Sequence, residues 1–351
     1  MKTRNLFGLF FFLILVGTTI STFGQEVKEK TEGNGFDAST FILDHIADSH
    51  EWHILTKENG DNVELYLPVI LYSREKGLDI FSSRQLAEGK EYKGYKLEES
   101  GDLKGKIVSV NSEGTVDEKN LPLDLSMTKA VIGMLAAAVI GLLLFLSLSR
   151  SYRKTGISHP KGIQSFLEPL ILFVRDDIAI PNIGHKYEKY MPYLLSVFFF
   201  ILINNLMGLI PFPPPFGANV TGNIAVTFVM ATCTFVITQL SGNKTYWKHI
   251  FAAPGVPFWL LPIMIPVEII GLFSKPFALM IRLFANITAG HIIVLSLICL
   301  IFIFNSLSVA PVSIFFVIFM DFLELLVALL QAYIFTLLSS LFIGMAIPEQ
   351  H

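Results

Sequence analysis

The chain has 351 residues, of which 52% are hydrophobic and only 16% are charged. This composition excludes an ordinary soluble globular protein and predicts a membrane protein with a smaller soluble part. The formal net charge of −3 provides no basic surface for nucleic acid or anionic lipid. Cys233 and Cys299 lie in separate apolar segments, which predicts small core side chains and no disulfide framework.

The first residues have the form of a secretory signal peptide. Lys2 and Arg4 precede an apolar run over residues 6–16, and small and polar residues follow as far as Gly24. Because the run is too short to span a bilayer comfortably, we expect residues 1–24 to be removed from the mature chain. A retained signal anchor is the alternative.

Residues 25–126 differ in character from the rest, because they hold most of the Lys, Glu and Asp residues. We expect a short helix near 37–50, followed by a small α+β or β-rich unit. Polar and apolar residues alternate over 62–67, and residues 106–110 are rich in β-branched side chains. The signal peptide predicts that this domain is exported.

One cluster of potential metal ligands occurs near the start of this domain: Asp44, His45, Asp48, His50 and His53. The cluster has no cysteine and no recognised ligand spacing, so exposed histidines are the simpler interpretation. We therefore expect neither a metal nor another cofactor.

Five apolar segments in residues 127–351 are long enough to cross a bilayer. They cover 129–149, 190–212, 222–241, 251–304 and 311–347. The last two exceed the ~20 residues that a perpendicular span needs, which predicts long, tilted helices. This part of the chain is predicted to be an all-α polytopic membrane domain.

A further helix is expected between the first two spans, over residues 162–180. Apolar residues recur there at helical spacing, and the opposite face carries Gln164, Glu168, Arg175 and Asp176. This pattern predicts an amphipathic helix on the membrane surface.

Basic residues set the predicted orientation. They follow the first span and the third span, whereas the turns at 211–222 and 305–311 carry no charge. Because basic loops stay in the cytoplasm, the N-terminal domain is predicted to be extracytoplasmic (periplasmic) and the C-terminus cytoplasmic. The expected location is the cell inner membrane.

Arg282 carries a permanent charge near the middle of the longest apolar segment. A guanidinium in hydrocarbon is costly unless a partner or a wet cavity receives it, which makes Arg282 a candidate functional residue. On a helix, Glu268, Arg282 and Asn286 fall within one narrow sector. An arginine that snorkels to the interface is the alternative.

The last span supplies a second polar stripe, because Glu324 and Gln331 are seven residues apart. If the last two helices are antiparallel, Glu324 meets His291 and Gln331 lies level with Arg282. A His–Glu pair in a wet pocket suits proton relay because imidazole titrates near neutrality. These groups could alternatively serve only as interhelical hydrogen-bond partners.

Together these motifs resemble subunit a of the F-type ATP synthase over about residues 129–347. The motifs that carry the resemblance are Asn205-Leu206-Met207, Asn219-Val220-Thr221, Ser274-Lys275-Pro276, the run Ile281 to His291, Glu324 and the run Leu330 to Phe335. The resemblance implies a non-catalytic subunit that conducts protons between the membrane surfaces and a rotating ring of c subunits. It also implies b-type stator subunits and membrane lipid as partners.

The resemblance assigns a role to each polar residue. Arg282 is similar to the family's essential arginine, with Asn286 and Gln331 as its polar neighbours. Glu268 is similar to a carboxylate of the cytoplasmic half-channel.

The outer half-channel is assigned to His291 and Glu324, together with Asn219. Many bacterial members carry the His–Glu pair in the opposite order, and the order here resembles the mitochondrial arrangement. The resemblance implies H⁺ as the transported ion, although the choice between H⁺ and Na⁺ is expected to lie in the c ring.

Two other classes are less consistent with the sequence. A secondary transporter usually shows inverted repeats, and this sequence has no internal repeat. A receptor or assembly factor built on the exported domain does not need a buried Arg–Asn–Gln set. Since nothing resembles a nucleotide-binding loop, ATP chemistry is expected in partner chains.

Overall fold

The computed structural model describes residues 38–56, 62–74, 76–98, 103–111, 116–117, 120–155, 162–210, 213–251, 258–304, 306 and 308–347. The predicted signal peptide lies outside these ranges. The chain forms two compact units. The first comprises Met1–Leu135, Met207–Val220 and Ile292–Asp321, and the second comprises Ala136–Leu206, Thr221–His291 and Phe322–His351.

In its described residues, the N-terminal domain of the first unit shows a short α-helix followed by short antiparallel strands, in agreement with the predicted β-rich unit. The elements are α1 (Ala38–Ile46), β1 (Glu51–Thr56), β2 (Asn62–Tyr66), β3 (Pro68–Ser73), β4 (Gly77–Ser82), β5 (Tyr95–Leu97), β6 (Ile107–Ser109) and β7 (Leu123–Asp124). β1 pairs with β2, β5 pairs with β6, and β3 lies between β4 and β7.

The core of this domain follows from the alternation of side chains along its strands. Successive residues of a strand point to opposite faces, so Val69 and Leu71 of β3 lie on the same face. Both are fully buried and pack with Phe81, Tyr95 and Ile107. One face of the central strand therefore forms the hydrophobic core.

The first membrane helix, α2 (Lys129–Thr155), begins directly on this domain. The Lys129 N–H donates to the Ser49 carbonyl at 3.0 Å, and the Ala130 N–H donates to Asp48 Oδ1 at 3.0 Å. These bonds satisfy two of the N–H groups that a helix start leaves without intrahelical partners. The domain is thereby fixed to the start of the first span.

A second contact near this junction pairs His50 Nε2 with Asp124 Oδ2 at 2.9 Å. Burial raises the pKa of Asp124, but hydrogen bonds from His50 and Ser126 outweigh this effect and hold the pKa below its usual range. His50 thus forms its contact with a residue of β7. Asp44, another member of the candidate metal cluster, forms an ion pair with Lys104.

Most of the other described residues are helical. The segments are α3 (Ile163–Phe173), a π-helical stretch (Val174–Ala179), α4 (Ile180–Ile183), α5 (Tyr187–Gly208), α6 (Ile224–Ser241), α7 (Lys244–Phe251), α8 (Leu261–Ile303) and α9 (Ala310–Ala346). Among the described residues, five helical runs are long and apolar enough to cross a membrane: Lys129–Arg153, Ile163–Gly208, Ile224–Ser241, Leu261–Ile303 and Ala310–Ala346. Each of the five predicted spans overlaps one of these helical runs, so the number of spans is confirmed for the described residues.

The predicted amphipathic helix differs from the expectation in one respect. Gln164, which the pattern placed on a polar face, is only 5% exposed and accepts a hydrogen bond from Ser151. Val174 and Ile178 are fully buried, and the Ile178 carbonyl accepts a hydrogen bond from Ser340 of α9. This segment therefore packs into the second unit through part of its surface.

Candidate functional site

The structure brings His291 of α8 and Glu324 of α9 together within the second unit. His291 Nδ1 lies 3.2 Å from Glu324 Oε1, and the side chains are 22% and 6% exposed. The distance fits an ion pair, but Oε1 has no aligned hydrogen-bond partner within the described part of the chain. Imidazole and carboxyl groups both titrate, and at this separation a proton can pass between them. The pair is therefore suited to gaining and losing protons.

Gly290 provides the space that the Glu324 side chain occupies. A methyl group added at Gly290 would lie 2.9 Å from Glu324 Oε1 and 3.1 Å from its Cδ. Both distances are shorter than ordinary van der Waals contact, so any larger residue displaces the carboxyl group. The glycine thus positions Glu324 beside the neighbouring His291.

The family resemblance described in the sequence analysis implies that the His291–Glu324 pair relays protons. On that expectation, Gly290→Ala should leave the fold intact but reduce proton-driven ATP synthesis about tenfold. Its methyl group pushes the flexible end of Glu324 away, and a displacement of ~1 Å in a reacting group costs up to ~100-fold in rate. The measurement is ATP synthesis in energised vesicles. Gly141→Ala on α2 is the matched control, because a methyl group there would make only an ordinary van der Waals contact, 3.5 Å from Ile203 Cδ1. Equal rates in the two variants would contradict the role of this contact.

Arg282 and Asn286 lie on a face of α8 that this chain leaves exposed. Their neighbours Ala278, Ala285 and Ala289 are exposed as well, and residues at these spacings share one helix face. No carboxylate in the described ranges pairs with the Arg282 guanidinium. The face therefore combines a cation with small side chains that permit close approach of another helix.

Three other predicted residues occupy different surroundings. Gln331 of α9 is only 3% exposed, and no hydrogen bond among the described residues joins it to Arg282. Glu268 is partly exposed on α8. Asn219 is partly exposed in the turn before α6, between the buried Ala218 and Val220, and belongs to the first unit.

One buried polar group received no separate role in the sequence analysis. Asn205 of α5 donates from Nδ2 to the Ala328 carbonyl of α9 at 3.2 Å and accepts a hydrogen bond from Thr221 at 2.7 Å. All three residues are nearly fully buried. Since Ala328 lies one helical turn after Glu324, this network holds the segment of α9 that carries Glu324. An amide within an apolar helix is the signal that could have identified it.

The fold and the site define a polytopic membrane protein with an ionisable pair buried between spanning helices and an arginine on an open helix face. Residues 131–344 match the model of the family described as "ATP synthase A chain". The chain belongs to that family, so the resemblance seen in the sequence is confirmed. Residues 41–128 match a second family, described as a domain of unknown function.

Similar proteins carry the corresponding name. The chain is 49% identical to "ATP synthase subunit a" of Chloroherpeton thalassium over 233 residues, covering 65% of this chain and 68% of that one. It is 46% identical to "ATP synthase subunit a 2" of Chlorobium luteolum over 274 residues, covering 73% and 79% of the two chains. It is 48% identical to "ATP synthase subunit a" of Myxococcus xanthus over 237 residues, covering 65% and 75%.

Proposed function

We propose that this chain is the proton-conducting stator subunit of an F-type ATP synthase. The observation that carries the proposal is the open face of α8, where Arg282 and Asn286 stand among small residues with no described carboxylate partner for the arginine. A charge within a spanning helix requires a partner. A c-ring helix that bears an essential carboxylate supplies both the opposite charge and the close helix contact.

The buried His291–Glu324 pair is the proposed proton relay of the outer half-channel, with Asn219 assigned to the same route by the family resemblance. Imidazole and carboxyl groups in contact pass a proton between them without a large change in geometry. A proton delivered here neutralises a carboxylate of the ring. The neutral carboxyl group then moves through the lipid as the ring rotates.

Arg282 separates this route from the exit route. Its charge favours the ionised form of a ring carboxylate that arrives opposite it, so the proton leaves the ring before that point. Glu268, about 21 Å from Arg282 along an ideal helix, is assigned to the cytoplasmic half-channel. Asn286 and Gln331 are the proposed polar neighbours of the arginine.

The proposed subunit is non-catalytic, and nucleotide chemistry lies in partner subunits. Its partners are the c ring, b-type stator subunits and membrane lipid, and its transported ion is H⁺. We place it in the cell inner membrane with the N-terminal domain in the periplasm and the C-terminus in the cytoplasm.

Disulfide cross-linking tests whether the open face of α8 meets the ring. Ala278→Cys, in a chain whose Cys233 and Cys299 are replaced by serine, should cross-link to a cysteine placed beside the essential carboxylate of the ring. Leu240→Cys is the matched control, because Leu240 is 83% exposed on α6, outside the proposed interface. Cross-linking of both variants to the same extent, or of the control alone, would refute the proposal.

A further inference from the structure

The sheet formed by β4, β3 and β7 carries apolar side chains on both faces. One face contributes Val69, Leu71 and Phe81 to the core of the N-terminal domain. The opposite face is defined by the cross-strand register, in which Ile70 lies opposite Ile80 and Tyr72 lies between Leu78 and Leu123. We name this second surface the outer sheet face. Its members are Pro68, Ile70, Tyr72, Leu78, Ile80, Ser82, Leu123, Leu125 and Met127.

The outer sheet face is open in this chain. Leu78, Ile80 and Leu123 are 60%, 61% and 60% exposed. Its nine members include no charged residue, and only one serine hydroxyl and one tyrosine hydroxyl are polar. Contiguous exposed apolar surface of this kind on a folded domain marks an interaction site.

This face continues without interruption toward the first membrane span. The Leu125 N–H donates to the Ile70 carbonyl at 2.9 Å, and the Met127 N–H donates to the Pro68 carbonyl at 3.1 Å, which extends the pairing beyond β7. Met127 precedes the first residue of α2 by only two positions. The edge of the outer sheet face therefore lies two residues before the helix that is long and apolar enough to form the first span.

The attachment of the domain keeps this face close to the bilayer. The backbone hydrogen bonds of Lys129 and Ala130 fix the start of α2 to Ser49 and Asp48. Only Thr128 separates Met127 from the first residue of α2. This spacing is too short to lift the domain away from the lipid. Tyr72 supplies an aromatic ring with a polar tip, a side chain that is enriched at the level of lipid headgroups.

We propose that the outer sheet face is a membrane-contact surface, by which the N-terminal domain rests in the headgroup region of the bilayer beside α2. The partner is neutral lipid, because the face has apolar area and no basic residue to attract anionic headgroups. The uninterrupted continuation into a spanning helix favours lipid over a protein partner. This assignment concerns the N-terminal domain and does not depend on the route of protons through the helices.

The test measures the lipid contact of single positions in the full-length chain. Ile80→Cys, with Cys233 and Cys299 replaced by serine, is labelled with a small fluorophore and reconstituted into phosphatidylcholine vesicles that contain nitroxide-labelled lipid. We expect the Ile80 label to lose most of its fluorescence with nitroxides at the headgroup or at a shallow acyl position. Lys104→Cys, an exposed and charged position of the same domain, is the matched control and should keep most of its fluorescence.

Two outcomes would overturn the proposal. The first is equally weak quenching at Ile80 and Lys104. The second is weak lipid quenching at Ile80 combined with protection from aqueous iodide only in the assembled complex, which would identify a protein partner. Leu78→Cys provides a second position on the same face, and an unchanged limited-proteolysis pattern verifies that each labelled domain is folded.

Discussion

Replacement of Arg282 by alanine is expected to abolish proton-coupled ATP synthesis while allowing a passive proton leak. The guanidinium lies on the open face of α8, at the level where we propose that a ring carboxylate passes. Without this charge, a ring carboxylate passes while still protonated, so protons cross without driving rotation. The measurement is the pH change and the ATP yield of energised vesicles that contain the variant.

The matched control for this experiment is Lys275→Gln. Lys275 lies on the same helix, about 10 Å from Arg282 along the axis, and its Nζ lies 5.7 Å from the ring centre of Phe342 in its own chain. Because this cation already has a contact, its loss should leave most ATP synthesis intact. Unimpaired synthesis in Arg282→Ala, or the same defect in both variants, would exclude the proposed role of Arg282.

The sequence predicted the five spans because each consists of a long apolar run, a signal that does not depend on neighbouring segments. It predicted the contact between His291 and Glu324 because helical spacing and an antiparallel arrangement place the two residues on facing sides. The 3.2 Å distance agrees with that prediction. The proton-relay role of the pair remains a proposal, as do the roles of the other site residues.

Other features depend on contacts that a pattern along one helix does not specify. Gln164 was assigned to a polar surface, but Ser151 from α2 binds it and it is buried. Asn205 gains its importance from Thr221 and from a backbone carbonyl of α9. In each case the partner lies in a different segment of the chain, so only the packed structure identifies it.

The N-terminal domain shows the same limit in a sheet. The sequence of β3 does not predict which face of the strand is buried. Val69 and Leu71 lie on one face and Ile70 and Tyr72 on the other, and both pairs are largely apolar. The structure assigns Val69 and Leu71 to the core and leaves Tyr72 49% exposed. Because one face of this sheet already forms the core, its exposed apolar face is expected to contact a membrane or another protein.

Exchange of His291 and Glu324 tests whether the two side chains act as one unit. His291→Glu alone places two carboxyl groups together, and their mutual repulsion retains a proton that should move on. Glu324→His alone places two imidazoles together and leaves no acid in the site. We expect each single variant to lose proton pumping by roughly 100-fold, the lower range for a positioned proton-transfer group.

The double variant restores one acid and one base in the same pocket, so it should recover part of the activity. Because the side chains touch, their effects on pumping should be non-additive, as is usual for residues in contact. The rates of the wild type, both single variants and the double variant form the complete cycle. Glu268→Gln, combined with each of them, serves as a control for additivity, since Glu268 lies about 35 Å from His291 along an ideal helix. A double variant no better than the worse single variant would show that the two residues act independently, and the outer half-channel would then have to be assigned to other groups.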